Sequence, residues 1–239
     1  MKRWRSVLAT RTMAMTSLLL TGSWAMAQPP AARLIRYEVK PASLVSFRQA
    51  VRHYIGESTK APGNILSEAF QEEADSTKLW IIERWTNQSA LDKASHGNAY
   101  KTITALSQQS LQQPARLILV KDLEPLSPQQ WRRAAAPEDR PLTIMLFVDA
   151  KPGTASHFKA VYHQAMPQFR SEPGVINYQL SQLENDSTQF VTYEKFRNEA
   201  AFQYHLTFPP IQPVIDYLHT SIKQQPFEKG LHRLIGIAP

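Results

Sequence analysis

A few side chains in this sequence have the types and settings that proton transfer or ligand binding needs. His205 follows an acidic and then apolar stretch. Imidazole titrates near neutrality, so it could act as a base or donate a hydrogen bond to a substrate oxygen, or simply pack on a helix. Tyr178 and Tyr193 fall on adjacent apolar runs, in a register that could put both hydroxyls on one sheet face to orient a phenolate, although Tyr is also an ordinary strand residue. Glu83 and Glu194 lie on apolar runs. A carboxylate in such a place either pairs with a cation or has a raised pKa suited to proton transfer. Trp80 and Trp85 could stack on a flat ligand or fill core; their parity differs, so they must point to opposite faces.

Other chemistries find no support. His53, His157, His163, His219 and His232 show no HxH or HExxH spacing, so no metal site is implied. The absence of cysteine excludes disulfides, thiolate metal sites, iron–sulfur clusters and cysteine nucleophiles. There is no glycine-rich phosphate loop and no GxSxG elbow, and 8 glycines leave little for a dinucleotide fold.

Residues 1–27 read as a cleaved export signal. Lys2, Arg3 and Arg5 precede a mostly apolar stretch, and Ala25-Met26-Ala27 supplies the small-x-small pattern, giving a mature start at Gln28. The apolar run is shorter than the roughly 20 residues of a membrane span and is interrupted by polar residues. Nothing later is long and apolar enough to leave a stable span after cleavage. A periplasmic or secreted location is expected, which suits a chain without cysteine. Beyond residue 28 the chain has 23 basic and 20 acidic residues, or +3, rather than the +7 of the full sequence. That balance, with no basic stripe carrying aromatics, implies no nucleic-acid partner.

The elements that must position these residues come as a repeat. At an offset of 111 residues, DSTKLWIIERW (75–85) meets DSTQFVTYEKF (186–196), and Pro62-Gly63 meets Pro173-Gly174. Between 41 and 90 this register gives 13 identities in 50 positions, where chance gives about three. Glu83 and Glu194 are therefore equivalent, and an acid kept in both copies favours a structural role near the strand end.

Each copy begins with a β-rich run, 34–39 or 143–149, followed by Pro and a hydroxyl residue, Ser43 or Thr154, placed to cap a helix. Leu44, Phe47, Val51, Tyr54 and Ile55 then share one helical face, as do Phe158, Val161, Tyr162, Ala165, Met166 and Phe169 in the second copy. The Pro-Gly pairs break the chain, the glycine supplying the positive φ that a reversal commonly needs. Two strands follow, 64–72 with 77–85 and 175–183 with 188–196, joined by turns at Asp75-Ser76 and Asp186-Ser187. Asn87 and Asn198 open a second helix, interrupted by Gly97 in one copy and Pro209-Pro210 in the other, before a last strand at 116–120 or 231–237.

The order is βαββαβ twice, an α+β class built of tandem ferredoxin-like units. The boundaries are 33–123 for the first domain, 124–141 for a Pro-, Arg- and Ala-rich linker, and 142–239 for the second domain. Trp131 is the linker's one bulky apolar residue and could pin it to a lobe. Strands such as LWII are apolar on both faces, so a face not covered by helices needs another cover. The simplest is the other copy's sheet, packed face to face into an intramolecular version of the dimeric α+β barrel. Such a chain can be a monomeric pseudo-dimer.

The PGN and PGV segments before the hairpins, the strand ends IIERW and TYEKF, and the helix opening NEAAFQYHLTFP (198–209) resemble the antibiotic biosynthesis monooxygenase (ABM) family in tandem form. The resemblance spans about 34–120 and 142–237, and it departs at Ala94, which stands where His205 stands in the second copy, although His96 is close by. It implies oxygenation of a small aromatic or quinol without flavin, metal or haem. The protein then supplies a dry cavity, a proton acceptor and donors for the anion. His205, Tyr178 and Glu194 become the candidate catalytic residues, and Trp80, Trp85 and Tyr193 the candidate substrate contacts. Related members instead bind and degrade haem, so a non-catalytic barrel holding haem or another hydrophobic ligand is the alternative.

Overall fold

The computed structural model describes residues 29–237; the export signal and its cleavage point after Ala27 lie outside them. The first lobe runs β1 (Ala31–Glu38), α1 (Leu44–Ser58), β2 (Asn64–Glu72), β3 (Lys78–Trp85), α2 (Gln88–Ser95), α3 (Asn98–Ser110) and β4 (Arg116–Leu123). A short helix, α4 (Pro128–Trp131), lies in the linker. The second lobe runs β5 (Leu142–Asp149), α5 (Ala155–Ser171), β6 (Val175–Leu183), β7 (Gln189–Phe196), α6 (Glu199–Thr207), α7 (Gln212–Thr220), α8 (Pro226–Lys229) and β8 (Leu231–Gly236).

The local sequence explains these elements. Asp75 and Asp186 each accept from the backbone N–H and the hydroxyl of the Thr two residues on, closing the two hairpins identically. Asn87 and Asn198 cap α2 and α6 by accepting from Ala90 N–H and Ala201 N–H. Gly97 and Pro209 break the following helices where expected, giving α2 with α3 and α6 with α7.

Two local expectations change. Ser43 and Thr154 cap nothing with their side chains, because both have helical rather than extended ψ, −1° and −9°. Thr154 Oγ1 instead bonds the Lys151 and Ser221 carbonyls. Of the two Pro-Gly glycines only Gly63 has positive φ, at 83°. Gly174 is required by crowding instead: a Cβ there would come within 2.2 Å of the Ala201 Cβ at the start of α6.

The eight strands close into one barrel in the order β1-β3-β2-β8-β5-β7-β6-β4. Each lobe alone has its last strand beside its first. The seams between lobes are β2 with β8 (Phe70–Glu72 on Gly236–Leu234) and β4 with β6 (Val120–Leu123 on Leu183–Leu180). Every neighbouring pair is antiparallel, so β1 and β5 point the same way, and a half-turn about the barrel axis carries each strand onto its counterpart. Residues 111 apart on β1–β3 and β5–β7 are thus related by that axis, whereas on β4 and β8 Val120 matches Leu234.

This closure is what the doubly apolar strands require. Leu34, Trp80, Ile82, Met145, Val191 and Leu234, drawn from both lobes, form one core inside the barrel. The outer faces pack on helices: Phe47, Val51 and Tyr54 of α1 cover the first sheet, and Phe158, Tyr162 and Phe169 of α5 the second. Each such side chain contributes roughly 1.5–3 kcal/mol through burial, and the barrel-interior core would face water if the lobes parted.

Trp131 pins the linker to both lobes together. Its ring is 2% exposed, lies 5.5 Å from the Tyr193 ring and has the Arg84 guanidinium 4.9 Å from its centroid. Arg132 donates to the Asn64 and Ile65 carbonyls of β2, and Asn177 of β6 donates to Gln130. The linker therefore stoppers one end of the barrel.

Candidate active site

The two lobes treat the same carboxylate position in opposite ways. In the first lobe Glu83 is fully buried and saturated. Arg33 Nε sits 2.6 Å away, and Tyr54, Ser67 and Trp85 all donate to it. Arg33 in turn reaches Ser95 and lies over the Tyr100 ring. Here the strand acid is structural, as its presence in both copies suggested.

At the half-turn equivalents the second lobe has Ile144 for Arg33, Ala165 for Tyr54 and Tyr178 for Ser67. Removing the guanidinium and the helix tyrosine leaves Glu194 without a cation in contact. It accepts from Tyr178 Oη at 3.0 Å and Thr192 Oγ1 at 2.7 Å. Burial pushes the Glu194 carboxyl up from its ordinary value, against the pull of His205 and these two donors. Burial and the neighbouring Glu194 likewise push the Tyr178 hydroxyl well above its ordinary range.

His205 stands on α6 where the first lobe has Ala94, and Glu172 closes α5 where it has Ala61. Both side chains are buried, with His205 Nδ1 2.8 Å from Glu172 Oε1. That contact commits Nδ1 to Glu172 and leaves Nε2 for other work. The rings of Phe169, Tyr178 and Phe196, 4.8 to 5.3 Å from the imidazole, hold it in place.

His205, Tyr178 and Glu194 open together onto one cavity of about 270 Å³ between the sheet and helices α6 and α7. Its walls are largely apolar, including Ile144, Phe202, Ile211, Val214 and Leu218. Leu206 and Phe227, which are exposed, stand at its solvent end. The cavity thus joins an imidazole held by Glu172, a carboxyl whose pKa burial raises, and a tyrosine residue within largely apolar walls. Among the described residues, no three His, Asp or Glu side chains converge as a metal site. At about 270 Å³ this cavity lies just under the roughly 300–1,000 Å³ of drug-sized ligand pockets, which suits a small aromatic better than a haem.

The other three expected contacts lie elsewhere. Tyr193 pairs across the hairpin with Gln179, whereas Tyr178 pairs with Glu194. The one-residue difference puts the two tyrosines on opposite faces. Tyr193 faces the barrel interior and donates to Glu68 at 2.5 Å. Trp80 and Trp85 do point to opposite faces. Trp85 is enclosed by Ala31 and Leu91, while Trp80 lies inside the barrel and donates to Glu72. Neither touches the His205 cavity. Glu172 and Thr192 were not foreseen. The paired exchanges of Ala61 for Glu172 and Ala94 for His205 at one offset were the signal that could have revealed the first.

A closed barrel of two ferredoxin-like units, with a buried histidine opening onto a helix-side cavity, defines an ABM-type, monooxygenase-like protein. The model of the family described as antibiotic biosynthesis monooxygenase matches residues 30–106 and 141–214, and the chain belongs to that family. An uncharacterized protein of Synechocystis sp. (strain ATCC 27184 / PCC 6803 / Kazusa) is 30% identical over 88 residues, 37% of this chain and 55% of its own length. The chain therefore spans about half of that relative. A candidate monooxygenase from Lactobacillus acidophilus NCFM has a similar structure, with a TM-score of 0.72, 14% identity, and coverage of 88% of this chain and 95% of that one. An anthrone oxidase-like protein has a TM-score of 0.62 at 10% identity, covering 87% and 92%. At these identities the likeness is one of fold.

Proposed function

We propose that the second lobe is a cofactor-independent monooxygenase of small hydroxylated aromatics, with molecular oxygen as oxidant. The observation that carries this reading is the convergence of the Glu172–His205 pair, Tyr178 and Glu194 on one mostly apolar cavity of about 270 Å³. In this reading His205 Nε2 takes the phenolic proton, and Glu172 balances the imidazolium. The electron-rich ring carbon para to that oxygen forms a C–O bond to O2. Glu194, whose pKa burial raises, and His205 return protons to the resulting peroxide. The O–O bond then breaks, the ring C–H proton is lost, and the products are one quinone and one water per phenol and O2. A water-excluding apolar wall favours such chemistry because fixed donors act more strongly there than in water.

The expected location and assembly belong with this proposal: an exported chain starting at Gln28 that works as a monomer, since its lobes already satisfy each other. N-terminal sequencing of the secreted protein checks the first point and sedimentation the second. The function is tested by oxygen uptake across a panel of phenols and hydroquinones without added cofactor, comparing the parent with His205→Ala. Uptake that His205→Ala abolishes is the expected result. No uptake across the panel, or equal uptake in the variant, overturns it. Ligand-induced thermal stabilisation without oxygen consumption would identify a non-catalytic binder of hydrophobic ligands instead.

A further inference from the structure

The end of the barrel opposite the Trp131 stopper carries a second cavity, of about 280 Å³, that the oxygenase reading does not use. Arg36 and Phe147 both line it, and they are 111 residues apart. The cavity therefore lies across the barrel axis. In a symmetric dimer, that axis would force the same residue onto both sides. Duplication within one chain allowed a cation to face a ring.

Its floor is aromatic and rigidly held. Trp80 and Phe147 stack with centroids 6.0 Å apart, and His232 stands edge-on to both, at 5.2 and 5.6 Å. A single carboxylate oxygen, Glu72 Oε1, accepts from Trp80 Nε1, Arg36 Nε and His232 Nδ1 at 3.0 to 3.2 Å. One acid thus fixes all three side chains. The rim is basic: Arg116 and Lys229 line the mouth, are exposed, and have no ion-pair partner among the described residues. Asp149, the acid on this rim, is engaged by Lys223.

We infer that this mouth binds a small aromatic carboxylate, its ring against Phe147 at the edge of the buried Trp80–Phe147–His232 cluster, over whose Trp80 ring Arg36 lies, and its carboxylate between Arg116 and Lys229. An aromatic wall beside two cations selects an anion attached to a flat ring over either part alone. The site stands apart from the His205 cavity and does not depend on the oxygenation reading.

The experiment is calorimetric titration of the whole chain at low salt with naphthalene-2-carboxylate, and with naphthalene-2-carboxamide as the neutral control. Saturable 1:1 binding is expected, weakened about tenfold or more for the amide and for the Arg116→Ala/Lys229→Ala double variant. Both residues are exposed, so an unchanged melting temperature in the variant verifies its fold. Binding that survives in His205→Ala excludes the helix-side cavity as its location. Absence of saturable binding overturns the inference, as does a double-variant affinity within about twofold of the parent. Loss in His205→Ala alone also overturns it.

Discussion

Glu83 and Glu194 occupy one position of the repeat, related by a half-turn about the barrel axis, yet Glu83 is clamped by Arg33 and Glu194 by no cation at all. The difference follows from a single equivalence, Arg33 with Ile144. It replaces a structural ion pair with a buried carboxyl whose pKa burial raises. The two copies have thus diverged at one position, with a clamped acid in the first lobe and an unclamped acid lining a helix-side cavity in the second.

The clamped acid should govern stability. Glu83→Ala strands the Arg33 guanidinium, 6% exposed, without its partner. Removing one member of a buried pair costs about 3–5 kcal/mol. Urea denaturation should show a loss of that size, with no direct effect on the second lobe's chemistry once the protein is folded. A loss below about 1 kcal/mol, the value of an exposed pair, would refute the assignment.

The unclamped acid should give a pH dependence of the opposite kind. Burial raises the folded-state pKa of Glu194 above its unfolded value. Between those two values the folded chain holds a proton that the unfolded chain has released, so stability falls as pH rises through that window. Glu194→Gln removes the titration. The variant should match the parent in stability below the ordinary carboxylate range and exceed it progressively above, levelling off once the parent's carboxyl is ionised in both states. Denaturation midpoints across pH check this, and a difference that stays constant with pH would contradict it.

How much of this was legible in the sequence depends on how local the cause was. Strands β2 and β6 fall at 64–72 and 175–183 because their turn residues and apolar runs sit side by side in the chain. Closure of the barrel followed from LWII being apolar on both faces. Ser43 and Thr154 misled because cap chemistry depends on backbone angles as well as residue type. Tyr193 misled because a one-residue register difference reverses a side chain, and the register is set by the hairpin geometry as a whole. Glu172 was invisible for a different reason. It lies 33 residues from His205 in the chain, and only the fold, which sets the end of α5 beside α6, brings them within 2.8 Å.

That pairing makes a kinetic prediction. His205→Ala should lower kcat by about 10²–10⁴-fold on any phenol the protein turns over, the usual contribution of a positioned base. Glu172→Gln keeps the shape of the α5 terminus but cannot balance an imidazolium, so kcat should fall less, with KM nearly unchanged. Tyr178→Phe should raise KM as well, because its hydroxyl lines the cavity. Stopped-flow oxygen consumption distinguishes these outcomes. A Glu172→Gln enzyme with full kcat would reduce the buried pair to packing.

The stopper at the other end of the barrel gives the last prediction. Trp131 belongs to the linker, but its ring lies against Tyr193 of the second lobe and Arg84 of the first, and Arg84 is itself held by Asp122 and Ser181. Trp131→Ala deletes the contact common to both lobes and opens the barrel interior to water at that end. Large aromatic truncations in a core cost about 3–5 kcal/mol, and the Arg84 guanidinium also loses its aromatic face. Trp131→Phe keeps a ring over Arg84 and should recover most of that loss. If the linker were a passive tether, both variants would unfold at the parent's denaturant concentration. If it is a structural stopper, the alanine variant unfolds markedly earlier, and its linker becomes open to protease cleavage before either lobe melts.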